Sequence, residues 1–335
     1  MNDIELIPLI DTLRLEKIDD ETYFSKKYSN YISNSRLSLI DPSKGGSPEQ
    51  FFSGFKPLYS DSLILGSMVH ELSLQEGLFK IVENVDRPTA KLGFLADELY
   101  KLNRDITDED IRNAAFKIDY YKGNLTQNMI DSVRSKCAKY IETRRKFESN
   151  YKGDKSLIYA DPKIREKGKE CIKALKENKK IQDLLHPTSD FVGIVSENEK
   201  AILLDIKVIT DNSEFILKLK AKLDNYTINT LSNEICVNDI KTLGRILSEF
   251  DINISNYSYN REIALYSWLL SLCAKKYYDI DNPVIKGNYL VVSTIPKYYT
   301  KVVPMTKNMY KKGWNEFIYL FKLVAHYYDS GYRFK

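Results

Sequence analysis

Cysteine and histidine are scarce in this chain: 335 residues hold four of the first and three of the second. The cysteines, at 137, 171, 236 and 273, show no C-x-x-C spacing, which reads as reduced thiols in a cytoplasmic protein and not as a disulfide framework. Long apolar runs are missing too. The strongest, at 263–274, is interrupted by Ser267 and Ser271 and is too short to span a bilayer. The N-terminus carries Asp3 and Glu5 and lacks the basic start and apolar core of a signal peptide, so neither membrane nor secretion is expected. No sign of charge dominates. Fifty basic against 46 acidic residues leave a net charge of +4, which excludes a bulk basic field and requires any nucleic-acid binding to come from local patches. Repeats and low-complexity segments are also absent.

What remains is 43% hydrophobic and 29% charged, a globular composition on a chain long enough to bury a full core. Residues 1–34 show no clear pattern. Ser33-Asn34-Ser35-Arg36-Leu37 offers N-cap chemistry for a short helix ending before Pro42, and Pro48 starts another, with Phe51 and Phe52 as packing residues. Asp61 or Ser62 caps the next, where Leu63, Met68, Val69 and Leu72 surround His70. A lone histidine there is more often a buried core residue than a ligand. From 105 to 185 the pattern is helical and charged, opening on Thr107-Asp108-Glu109-Asp110. Its basic clusters include Arg144, Arg145 and Lys146, then Lys167 and Lys169. Interleaved glutamates make a solvated face the commoner explanation.

Beyond 190 the character turns to β, with runs at 191–195, 201–209, 215–223 and 235–240; a helix at 257–276; strands at 286–295 and 299–303; and a last helix at 307–328. The expected fold is α/β, a central mixed sheet flanked by helices. A mostly helical portion (1–190) precedes the sheet portion (191–335), the whole as one compact unit. Glu197 and Glu199 read as turn residues, with an outer-shell role as the alternative.

The chemistry concentrates between 215 and 266. Strand side chains alternate, so Asp239 and Lys241 share a face while Ile240 points the other way. If the run ending at Asp224 pairs with this strand, two carboxylates meet on a rigid edge. Such an oxygen-rich pocket suits Mg²⁺ or Mn²⁺, with Lys241 free to orient water or offset charge on a phosphate. Glu262 and Tyr266 lie one helical turn apart, with Tyr259 a turn before, placed to brace the site or touch DNA. The bland alternative is an exposed Asp239–Lys241 ion pair worth under about 1 kcal/mol.

Four stretches, in order, resemble the PD-(D/E)XK nuclease superfamily, in the branch of phage-type, exodeoxyribonuclease VIII-like and RecB-type exonucleases. They are Gly66-Ser67-Met68-Val69-His70, the strand ending at Asp224, Asn238-Asp239-Ile240-Lys241-Thr242, and the helix from Tyr259 to Tyr266. The resemblance spans about residues 33–300, and Glu262 stands where the family usually has glutamine. It implies a restriction-endonuclease-like core and a Mg²⁺- or Mn²⁺-dependent exonuclease acting on ends of linear duplex DNA, 5′ to 3′. His70, Asp224, Asp239 and the Ile240 carbonyl would hold metal, and Lys241 would serve catalysis. The basic residues of the helical insert (Arg144, Arg145, Lys146, Lys167, Lys169) would meet phosphates. It further implies a homo-oligomer, a single-strand annealing partner, recombination, and residence in the cytoplasm, a host's if phage-encoded. The three-cysteine group that holds an iron–sulfur cluster in some relatives has no counterpart. Other polarity, endonuclease action, and a non-catalytic DNA-binding protein of the same fold are the alternatives.

Overall fold

The computed structural model describes residues 4–53, 59–149, 156–187 and 193–335. Among them nine strands form: Glu5–Lys17 (β1), Tyr31–Ile32 (β2), Lys80–Ile81 (β3), Leu157–Ile158 (β4), Ile194–Ile209 (β5), Glu214–Asn229 (β6), Glu234–Leu243 (β7), Val284–Ser293 (β8) and Thr300–Pro304 (β9). The chain makes two compact units, Met1–Lys56 with Leu175–Lys335, and Pro57–Ala174. This grouping differs from a division at residue 190, because β1 and β2 pair into the sheet of the later residues.

In the first unit the sheet runs β1-β5-β6-β7-β8-β9, with β2 also beside β6. It is mixed: β7 pairs parallel with β8, β2 parallel with β6, and the other neighbours are antiparallel. Helices Tyr259–Tyr278 and Lys307–Asp329 flank it, giving the expected α/β architecture. Strand β1 lies within the stretch that reads as patternless. Its register with β5 shifts between Leu9 and Arg14, and such a bulge erases the period-two signal on which a strand reading depends. The runs at 191–195 and 201–209 are one strand, β5, from Ile194; residues 191 and 192 lie outside the described ones. Glu197 and Glu199 therefore sit inside a strand and not in a turn.

Pairing along β6 decides where the chemistry sits. Its residues Asn225 to Asn229 pair with β7, from Asn225↔Asn238 to Asn229↔Glu234. Further back, Lys218 and Leu219 pair with β2 instead. Strand β5 holds the other edge throughout, so β2 occupies the edge that β7 has left. The two strands part immediately beyond Asn225 and Asn238, next to Asp224 and Asp239.

The flanking helices approach closely. A Cβ on Gly313 would lie 1.9 Å from the Asn260 carbonyl oxygen, a backbone atom with no rotamer to yield. Gly313→Ala is expected to destabilise the unit by about 2–3 kcal/mol through forced helix separation, read from chemical denaturation. Beneath this contact the Arg261 side chain, fully buried, donates to Asn34 Oδ1 (2.7 Å), Ser38 Oγ (2.7 Å) and Glu316 Oε1 (3.0 Å), which satisfies a charge otherwise costly to bury.

The second unit is helical, with the two-residue pair β3–β4. Leu95, Leu99, Ile111, Ala115, Ile130, Val133 and Ile141 build its core. Thr107 and Asp110 form the capping box that the sequence announces, at the start of helix Asp108–Lys117. No helix among the described residues is long and apolar enough to cross a membrane. None of the four cysteines is in a disulfide.

Candidate active site

Buried charged residues gather at the fork between β6 and β7. On β7, Asp239 is only 3% exposed and Ile240 is fully buried. The Ile240 backbone N–H lacks a strand partner on the β6 side because the strands have parted; the Asp224 carboxylate accepts it at 2.8 Å. Asp224 thus replaces a ladder hydrogen bond and is fixed by it. The Lys241 ammonium lies 2.8 Å from Asp239 Oδ2 and 2.9 Å from Glu262 Oε2. Side-chain alternation and the helix Tyr259–Tyr278 together bring these residues to one place, as their sequence order suggests.

The Glu262 carboxylate is held on both oxygens. Lys241 holds one of its oxygens, and the Tyr266 hydroxyl donates to the other at 3.3 Å. The Tyr259 ring centroid stands 4.6 Å from Lys241 Nζ, a cation–π contact worth about 1–2 kcal/mol when partly desolvated. Tyr259 and Tyr266 therefore brace the lysine–carboxylate pair.

Glu199 joins the set. The register of β5 and β6 runs Asn198↔Asn225 and Lys200↔Leu223, so Glu199 and Asp224 stand opposite each other, with carboxylate oxygens within 4.8 Å. Glu199 holds φ at 56°, a left-handed conformation uncommon for a side-chain-bearing residue and found where surrounding structure enforces it. Lys222, on the same face of β6 as Asp224, reaches Glu199 Oε2 at 2.6 Å and Asp20 Oδ1 at 2.5 Å. The signal for Glu199 was present in the sequence as hairpin arithmetic: a turn at 210–213 pairing Ile209 with Glu214 puts residue 199 across from 224. Lys222 had no such signal, since its partner Asp20 is about two hundred positions away.

Among the described residues, Lys241 stands between Asp239 and Glu262, and Lys222 between Glu199 and Asp20, with Asp224 beside them. Burial, against the pull of Lys241 and aided by Glu262 and Asp224, pushes the Asp239 carboxyl up to about 8. Burial also works against the Lys241 ammonium, but Asp239, Glu262 and Asp224 outweigh it and hold its pKa well above the usual value. Asp239 Oδ2 is buried, with the Lys241 ammonium as its partner at 2.8 Å. Clustered carboxylate oxygens around a buried acid are a donor set that suits a hard divalent cation.

No family model matches the chain, and no curated protein matches it. Among solved structures, the chain is similar to the crystal structure of a putative exonuclease from Eubacterium rectale. The similarity covers 92% of this chain and 86% of that one, at 11% identity and a TM-score of 0.45.

The remaining sequence candidates lie in the second unit. His70 sits half-buried on the helix Asp61–Leu74, which Ser60 caps by accepting the Leu63 N–H. Arg144 is engaged within its own unit. Its guanidinium lies 4.1 Å from the centroids of both Tyr100 and Tyr159, and it pairs with Glu148 (2.8 Å) and Asp97 (3.1 Å). Arg145 donates to the Arg104 carbonyl at 3.2 Å. Lys169 bridges Glu83 (2.8 Å) and Glu166 (3.1 Å). Lys146 and Lys167 are exposed. Packing thus gives the basic cluster two different fates, which charge patterning alone does not distinguish.

Proposed function

We propose that this protein is a divalent-metal-dependent deoxyribonuclease of the PD-(D/E)XK type, an exonuclease acting on ends of linear duplex DNA. The observation that carries the reading is the fork of β6 and β7. There the Asp224 carboxylate accepts from the Ile240 N–H, the residue after Asp239, Glu199 lies across from Asp224, and the Lys241 ammonium lies beside Asp239, which supports the reading. Asp224, Asp239 and Glu199 would hold Mg²⁺ or Mn²⁺, with the Ile240 carbonyl and His70 as further ligands by the sequence resemblance. When bound, the cation would supply Lewis-acid polarisation of the phosphate and an acidified water. The protein's own part is orientation and charge. Lys241 has three N–H donors and two carboxylate contacts, so at least one N–H remains to direct a water oxygen or hold a phosphate oxygen. Glu262, Tyr266 and Tyr259 fix that ammonium in place, so little reorganisation is needed as charge develops. Water attacks phosphorus, the P–O bond to the leaving nucleoside breaks, and its oxygen takes up a proton.

Degradation from 5′ ends, a closed homo-oligomer, a single-strand annealing partner and a role in recombination within the cytoplasm belong to this proposal through the resemblance alone. Exposed Lys146 and Lys167 are its candidate phosphate contacts. The test is digestion of linear and covalently closed duplex DNA with Mg²⁺, the 5′ or 3′ strand labelled. Cutting of linear DNA alone, with the 5′ label released first, is the expected result. Cutting of closed circles would make it an endonuclease, and DNA binding without cutting would make it a non-catalytic binding protein.

Glu199 gives a separate prediction. Glu199→Gln is expected to weaken Mn²⁺ binding, measured calorimetrically, on the order of tenfold or more through loss of one oxygen charge. Glu197→Gln, two residues away and already held by Tyr226 (2.7 Å) and Lys200 (3.1 Å), should leave it unchanged.

A further inference from the structure

On the opposite face of the same four strands, a row of asparagines crosses the sheet. The Asn288 side-chain amide donates to Asn238 Oδ1 at 2.9 Å, Asn238 to Asn225 Oδ1 at 2.7 Å, and Asn225 to Asn198 Oδ1 at 2.7 Å. All three pairs are in direct register, across β8, β7, β6 and β5. Every link runs the same way, donor on one strand to carbonyl on the next, so the amide dipoles align and strengthen one another. Asn225 and Asn238 are fully buried. Their spare N–H capacity goes to the carbonyls that end the helix Lys179–Leu185: Asn238 to Leu184 at 3.1 Å and Asn225 to Leu185 at 3.3 Å. Cys236 Sγ completes the far end, accepting from Asn288 at 3.3 Å.

Stability alone does not account for this row. A satisfied buried amide hydrogen bond contributes a net of about 1 kcal/mol, no more than a well-packed valine or leucine would in its place. What an amide row adds is register. An apolar strand can slide two residues against its neighbour and keep the same face buried; a donor aimed at one carbonyl cannot. The row also stands at a particular place. Asn198, Asn225 and Asn238 are the immediate chain neighbours of Glu199, Asp224 and Asp239, and Asn225↔Asn238 is the last pair before β6 and β7 part. A shift of that pair by one rung would move the fork and separate Asp224 from the Ile240 N–H that fixes it.

We infer that the four asparagines are positioning residues: Asn225 and Asn238 set the point at which β6 and β7 diverge, and thereby the spacing of Glu199, Asp224 and Asp239. This rests on the proposed metal-binding role of those carboxylates. The device acts through the backbone, from the face that the substrate does not meet.

The experiment measures Mn²⁺ affinity by calorimetry, well below the melting temperature, alongside thermal stability. Four proteins are compared: wild type, Asp224→Asn, Asn238→Leu, and Leu320→Ala, a core cavity in the last helix that serves as a stability-matched control. The expected result is an affinity loss on the order of tenfold in folded Asn238→Leu, with Leu320→Ala unchanged. Equal affinity in Asn238→Leu and wild type, whatever the melting temperature, overturns the inference. Should Asn238→Leu not fold, the half-buried end of the row, Asn288→Ala, takes its place, and retention of full affinity there overturns the inference equally. If wild type and Asp224→Asn bind Mn²⁺ alike, the metal reading itself fails and the inference with it. Loss in Asp224→Asn with retention in the asparagine variants sinks the inference alone.

Discussion

Lys241→Ala is expected to lower the single-turnover rate of DNA hydrolysis by about 10²–10³-fold, with little change in DNA affinity, because in the proposed mechanism the ammonium acts on charge that develops only as the bond breaks. The metal-free protein should also change. Lys241 is the shared partner of Asp239 and Glu262, whose side chains are 5% and 19% exposed. Its removal leaves two neighbouring carboxylates without their cation, at a cost on the order of 3 kcal/mol, and added Mn²⁺ should recover much of that loss. Arginine is not an equivalent replacement: its planar fork cannot sit over Tyr259 and between two carboxylates as a compact ammonium does. A variant that keeps activity within a few-fold of wild type would remove Lys241 from the chemistry and reduce the Asp239–Lys241 contact to a buried ion pair.

Asp239→Asn should abolish metal-dependent activity and, in chelator, flatten a pH trend. The Asp239 carboxyl titrates in the unfolded chain near the ordinary value of 3.8 and in the folded protein at about 8. Between these values the folded state binds the extra proton. Its contribution to stability is therefore full below about pH 4 and is lost as pH rises through 8. Metal-free wild type is expected to lose melting temperature across that window, and Asp239→Asn to show a flatter profile with higher stability near neutral pH. Divalent metal should flatten the wild-type profile by giving the ionised carboxylate a partner. Thermal melts from pH 4 to 8 with chelator and with Mn²⁺ check all three. An unchanged slope in Asp239→Asn would assign the pH dependence to other groups and weaken the link between burial of this carboxylate and metal demand. A more stable variant without activity is the trade expected when a site holds charge for function at the expense of the fold.

Much of the candidate site's geometry is legible in the sequence. Asp224, Asp239 and Lys241 follow from period-two alternation on two strands, and Glu262 and Tyr266 from four-residue helical spacing; all these inferences are local in the chain. Glu199 was misread because acidic residues beside Asn198 look like a turn, and the strand that contains them is kinked there by a left-handed residue. Strand β1 was missed because its bulge breaks the alternation that would announce it. Arg144 illustrates the opposite failure. Its charge suggested an exposed contact for phosphate, whereas two tyrosine rings and two carboxylates enclose it.

The sequence by itself determined which candidate residues share a face of each strand and helix, because side-chain periodicity is set by backbone geometry within a few residues. Only the tertiary structure decided which of them meet. The opposition of Glu199 to Asp224, the pairing of Glu262 with Lys241, the parting of β6 from β7 and the asparagine row at that fork all depend on register between strands and on helix docking. Those are fixed by burial and hydrogen bonding between segments far apart in the chain, for which no local pattern stands in.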